Sequence, residues 1–125
     1  MTRTEIDTVR TNSVLMENIA EKITMLEHII SLRGETFSRK KELADLKATY
    51  ALIDSDNARN ELKAIISQTK LTPLQKTVFF EYYINGKTAK RIGAECCLCE
   101  RVIYSHLSLA RKSLGISGKC RTNNL

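Results

Sequence analysis

Cysteine and histidine are the side chains with the most chemistry to offer here, and three of the four cysteines crowd into Cys96-Cys97-Leu98-Cys99. With His106 and Cys120 further along, the cluster raises the question of zinc. A structural zinc site needs four ligands converging in a tetrahedron, usually delivered as separated pairs. No second Cys-x-x-Cys exists, and the helical pattern turns Cys96 inward while Cys99 opens the next helix. Ordinary reduced thiols are therefore the default reading, ahead of zinc ligation or a redox-sensing thiolate. His106 falls between the apolar and polar faces of its helix, as a partly buried structural histidine would. No nucleophile, base and orienting group can be assembled from the rest. The sequence thus predicts no enzyme, no metal and no cofactor.

The elements that must position this cluster lie between Leu71 and Leu114. Leu71-Thr72-Pro73-Leu74-Gln75 is a helix start, with Thr72 as cap, Pro73 in the first turn and Gln75 closing a capping box. That helix is expected to bury Leu74, Val78, Phe79 and Tyr82 and to end at Asn85-Gly86. Phe79, Phe80, Tyr82 and Tyr83 at helical spacing read as core before they read as a base-stacking surface. Thr88 then caps a helix from Ala89 to about Cys96 that buries Ile92 and Cys96, with Gly93 leaving room for another helix to cross. Cys99 opens a third helix to about Leu114. Its inner face is Ile103, Leu107, Ala110 and Leu114, and its outer face carries Glu100, Arg101, Tyr104, Ser105, Ser108, Arg111 and Lys112.

Charge is distributed unevenly along the chain. Residues 1–70 hold 11 Lys and Arg against 11 Asp and Glu, and residues 71–125 hold 9 against 3, so the formal +6 resides wholly in the C-terminal part. Two short helices across a tight turn, the second with a polar outer face, describe a helix-turn-helix. Such a second helix fits the DNA major groove and reads base edges there. Glu100, Arg101, Tyr104, Ser105 and Ser108 are the expected base contacts. Lys87, Thr88, Lys90, Arg91, Arg111, Lys112 and Lys119 are the expected phosphate contacts, from which most of the affinity would come.

The same stretch resembles region 4 of bacterial sigma factors. The resemblance is carried by Leu71-Thr72, Val78, Tyr82-Tyr83, Gly86-Lys87-Thr88, Ile92, Glu100-Arg101, Ile103-Tyr104-Ser105-His106-Leu107 and Ala110-Arg111-Lys112. With helices ahead of a C-terminal helix-turn-helix, the chain looks most like small phage sigma-like activators of the ArpU and RinA kind. LuxR/GerE-type domains share the ending Lys112-Ser113-Leu114-Gly115-Ile116, but residues 117–125 are too short for their fourth, dimerising helix. Two departures stand out. Cys97 occupies a turn position where such domains often have Gly, and Cys99 occupies the cap where they have Ser or Thr. Cysteine is a weak acceptor, so the cap should be poorer by about 1 kcal/mol.

The resemblance implies a sequence-specific DNA-binding transcription regulator, an activator of phage or prophage genes. Two alternatives stay open: a sigma-like protein acting through RNA polymerase contact, and a protein-interaction module, such as an inhibitor, that reuses a helix-turn-helix. Glu100 suits a cytosine amino group or a basic protein surface equally.

Residues 6–32 carry an apolar stripe at 3/4 spacing, Val9, Met16, Ile19, Ile23, Leu26 and Ile30, with Asn12 the polar residue of the seam. Gly34 should stop this helix. Ser38 is the expected cap of a second one, with Leu43, Leu46, Tyr50 and Ile53 on one face. Asp54-Ser55-Asp56-Asn57 marks a break before a third helix, about Ala58 to Gln68, burying Leu62, Ile65 and Ile66. The stripe can be covered in two ways. The first helix can fold back on the second as a hairpin, or pair with its copy in a homo-oligomer, most simply a dimer, which Asn12 favours. The predicted organisation is all-α: residues 1–70 for assembly or partner contact, 71–116 for the helix-turn-helix, 117–125 a polar tail. No apolar run approaches the ~18 residues of a membrane span and no signal sequence is evident. The expected setting is the bacterial cytoplasm, at the nucleoid.

Overall fold

The computed structural model describes residues 1–68 and 70–116, and Lys119 and the predicted polar tail lie outside the described residues. The described residues form six helices: α1 (Arg3–Arg33), α2 (Phe37–Asp54), α3 (Asn57–Gln68), α4 (Pro73–Tyr83), α5 (Ala89–Cys96) and α6 (Glu100–Ser113). No strand occurs among the described residues. Helix α1 begins at Thr2, whose hydroxyl accepts from Glu5 N while the Glu5 carboxylate accepts from Thr2 N, a closed capping box. At ~1.5 Å per residue it is about 46 Å long. Gly34 ends it with a φ of 88°.

The cap of α2 is Thr36 and not Ser38: Thr36 Oγ1 accepts from Arg39 N at 3.2 Å, so the helix starts two residues earlier than expected. Asp56 serves α3 in the same way, accepting from Arg59 N. Helix α4 opens on the Thr72–Gln75 capping box with Pro73 in its first turn. Its buried face is Val78, Phe79 and Tyr83. Leu74 is instead 40% exposed, and Tyr82 is half-buried beneath the Arg10 guanidinium. The reason is that α1 and α3 cover one side of α4 while α5 and α6 cover another, which rotates Tyr83 into the centre.

One core joins every helix but α2. Ile6 and Val9 from α1 and Leu62 and Ile66 from α3 meet Val78, Phe79 and Tyr83 of α4, Ile92 of α5, and Ile103, Leu107 and Ala110 of α6. Each large side chain buried here stabilises the fold by roughly 1.5–3 kcal/mol. The expected division at residue 70 therefore does not divide the core. Helices α4, α5 and α6 have no core of their own that excludes α1 and α3.

The predicted oligomerisation seam is likewise covered from within the chain. Val9 belongs to the shared core, and Met16, Ile19 and Leu26 are buried, while Ile23 and Ile30 are half-buried. The reason is the length of α1. Its first half lies across α3 and α4, and its second half lies along α2, which returns beside it after three residues with Lys47 Nζ 3.4 Å from the Glu27 carboxylate. The buried polar residue of this stripe is Ser13, one position beyond the expected Asn12.

Candidate nucleic-acid interface

Helices α5 and α6 are joined by Cys97, Leu98 and Cys99, and the backbone of this turn is tightly determined. Cys97 sits in the left-handed region at φ 58°, ψ 40°, the one non-glycine among the described residues with a positive φ. Its N–H and that of Leu98 both return to the Gly93 carbonyl. A Cβ on Gly93 would lie 2.5 Å from the Leu98 carbonyl oxygen. Gly93 is therefore required by the turn itself, and not, as expected, by a crossing helix. Cys99 occupies the N-cap of α6 and makes no side-chain capping bond.

The cysteines diverge as the sequence pattern implies: Cys96 is half-buried against the core, and Cys97 and Cys99 are exposed. Among the described residues no three His, Cys, Asp or Glu side chains are grouped to hold a metal ion. His106 is half-buried, with Nδ1 buried and unpartnered.

Helix α6 buries Ile103, Leu107 and Ala110 completely or nearly so. Opposite them, Arg101, Tyr104, Ser105, Ser108 and Lys112 form one exposed face, with Glu100 at its leading edge. At ~1.5 Å per residue this face runs about 20 Å along the helix. Arg101, Lys112 and, on α5, Lys90 are exposed and enter no ion pair among the described residues. All five expected base-contact side chains are thus brought together.

The expected phosphate contacts divide into two groups. Lys90 and Lys112 are free to act as such. Lys87 is held between the carboxylates of Glu81 and Glu95, the latter at 2.8 Å. Its ammonium is consequently held above the ordinary lysine range, first by Glu81 and then by Glu95. The same bond to Lys87 draws the Glu95 carboxyl down. Arg91 donates to Glu17 of α1 at 2.7 Å and sits 3.7 Å from Glu95. Thr88 uses its hydroxyl to cap α5, accepting from Arg91 N. Arg111 turns inward and donates to the Tyr83 hydroxyl at 2.9 Å. Burial raises the pKa of that hydroxyl, and the Arg111 charge opposes the rise. Lys87, Arg91 and Arg111 are therefore internal ties, because Glu17, Glu81, Glu95 and Tyr83 stand within reach. Glu17 and Tyr83 lie 74 and 28 residues from the cations they engage, where spacing along the sequence does not point to them.

The residues that sequence reasoning missed all lie on or against α1. Arg10 Nη1 donates to the carbonyls of Tyr82 and Lys87, and its guanidinium stacks 3.6 Å from the Tyr82 ring centre. Ser13 Oγ accepts from Arg59 Nη1 at 2.7 Å and shares its one proton between the Val9 and Tyr83 carbonyls, at 2.8 and 2.6 Å. Gly86, at φ 71°, packs so closely that a Cβ would lie 2.9 Å from the Ser13 and Val14 backbone. Arg10, Ser13 and Glu17 recur at helical spacing, so one stripe of α1 straps down the α4–α5 connection and α5. The spacing was visible in the sequence. The partners were not, because most are backbone carbonyls.

Taken together, this is an all-helical protein with a solvent-facing, partly basic helix braced from behind by a long N-terminal helix. Comparison with protein-family models, with curated proteins and with solved structures found no match.

Proposed function

We propose that the chain is a sequence-specific DNA-binding transcription regulator in which α5 and α6 act as a helix-turn-helix and α6 enters the major groove. The observation that carries this reading is the exposed face of α6, Arg101, Tyr104, Ser105, Ser108 and Lys112, set opposite Ile103, Leu107 and Ala110. A helix held rigidly by its inner face, with an arginine near its N-terminus and unpaired, can offer a bidentate donor to guanine. Lys90 and Lys112 would anchor it on phosphates. The resemblance to sigma region 4 and to phage activators of the ArpU and RinA kind supports the same reading and suggests phage or prophage promoters as targets.

The test is duplex binding. Selection from random duplexes should yield a preferred site, with affinity falling steeply as salt rises. Arg101→Ala should reduce discrimination between that site and random DNA by roughly 1–3 kcal/mol while leaving non-specific affinity nearly intact. Absence of duplex binding at low salt would overturn the reading.

One observation favours the reading in which RNA polymerase, or another protein, is the target. With Lys87, Arg91 and Arg111 tied internally, fewer cations are left for phosphates, while Glu100 is exposed at the head of α6 and enters no ion pair among the described residues. Retention of polymerase by the purified protein, lost in Glu100→Lys, would favour it.

A further inference from the structure

Helix α2 is eighteen residues long and buries none of its side chains. Its packing partner is α1, and its outer surface is open. That surface is not simply polar. Phe37 at its start is 84% exposed and Leu52 near its end is 73% exposed. A shallow depression of about 440 Å³ runs beside Phe37, Lys41, Asp45 and Leu46, and a second of about 320 Å³ adjoins it through Glu42 and Leu46 and reaches Met25 and Ile29 of α1. Leaving Phe37, Leu52 and Met25 in water forgoes much of the stabilisation that apolar burial supplies.

We propose that this face is a two-fold interface with a second copy of the chain, α2 against α2 in antiparallel orientation. Three features select that occupant. First, the apolar ends match, and the two Asp45 that flank the axis are bracketed by the two Lys41. A two-fold axis between residues 44 and 45 sets Phe37 opposite Leu52 of the second copy, twice, and brings Lys41 within one turn of the second copy's Asp45, twice. An isologous contact requires this self-complementarity. Second, α2 mixes Arg39, Lys40, Lys41 and Lys47 with Glu42, Asp45 and Asp54. It offers no field of one sign that would select a strongly acidic or basic partner. Third, Ala44 and Ala48 lie exposed between the two apolar ends, so that two helices can approach closely there. Two such pairs of helices would close a four-helix bundle, each covering the layer the other lacks. The interface lies on α2, away from the α1 stripe already covered within the chain, and it stands independently of what α6 binds.

Sedimentation equilibrium of the full chain without DNA tests it, with circular dichroism to confirm folding. The intact chain is expected to be a dimer. Phe37→Glu and Leu52→Glu should each raise the dimer dissociation constant by about thirtyfold or more, as for loss of a buried anchor. Lys41→Asp should weaken the dimer, and Lys41→Asp combined with Asp45→Lys should restore it. A monomeric intact chain overturns the proposal, whether or not the face then captures a different protein. So does a dimer indifferent to Phe37→Glu and Leu52→Glu, and a double charge swap no tighter than the single one.

Discussion

Glu17 on α1 accepts a 2.7 Å bond from Arg91 Nη1 on α5, across 74 residues of sequence. It engages one of the cations that the helix-turn-helix reading would otherwise assign to a phosphate. Both side chains remain partly exposed, so the pair itself adds little to stability. Glu17→Gln should therefore leave the melting temperature nearly unchanged. If α5 lies against the DNA backbone, Arg91, left with only the longer 3.7 Å pairing to Glu95, should steepen the salt dependence of duplex binding by up to one phosphate contact, a slope change of at most roughly 0.9. Salt titrations of wild type and variant, read side by side, check this, and an unchanged slope would place Arg91 away from the DNA.

Ser13 is the hub of a buried polar network, and Arg59 and the Tyr83 carbonyl both bond to its hydroxyl. Arg59, 7% exposed, has Ser13 Oγ at 2.7 Å, and its Nε lies 3.7 Å from Asp54, too far for a hydrogen bond. Ser13→Ala removes an acceptor from a buried cation and a donor from the Tyr83 carbonyl. The expected loss is about 1–3 kcal/mol, seen in urea as a lower midpoint at unchanged slope. Because Ser13 joins α1 to α3 and α4, α4 and α5 should unfold in the same transition as α1. Two separate transitions would contradict the single core.

The helix pattern and most helix ends could be read from the sequence because they are set locally: Thr72 and Gln75 cap α4, Thr88 caps α5, and Gly34 stops α1. The outer face of α6 was equally legible from the 4, 3 spacing of Ile103, Leu107 and Ala110. What escaped was long-range. Leu74 and Tyr82 looked like core, yet Tyr83 took that place once α1 and α3 packed on α4. Lys87, Arg91 and Arg111 looked like free cations, and Glu17, Glu81, Glu95 and Tyr83 engage them. The residue type specified a donor in each case, and only the fold determined which acceptor it met.

Gly86 and Gly115 share a positive φ, 71° and 68°, but differ in surroundings. Around Gly115 a Cβ would meet nothing within 4 Å, whereas at Gly86 it would meet the α1 backbone at 2.9 Å. Gly115→Ala should then cost only the left-handed strain, about 1 kcal/mol. Gly86→Ala adds a clash with backbone that cannot rotate away, and should cost about 3 kcal/mol or more. Chemical denaturation of the two variants separates the effects. Equal losses would mean that α1 does not press on the α4–α5 connection.

Cys97 and Cys99 give the opposite sign. At φ 58°, Cys97 pays the left-handed penalty that Gly would not, and the vacant cap at Cys99 leaves N–H groups at the start of α6 without a side-chain acceptor. Cys97→Gly should stabilise the chain by up to about 1 kcal/mol, the relieved strain being partly offset by the greater freedom of Gly in the unfolded state. Cys99→Ser supplies a hydroxyl that can accept from the third residue of α6, and should add about 1 kcal/mol. The two residues flank Leu98 in one turn, so their effects need not add, and the double variant must be measured as well as the singles. Thermal melts under reducing conditions provide the measurement. If Cys99→Ser fails to stabilise, the 3.1 Å bond that Val102 N already donates to the Cys99 carbonyl suffices at the start of α6, and the hydroxyl adds nothing to it.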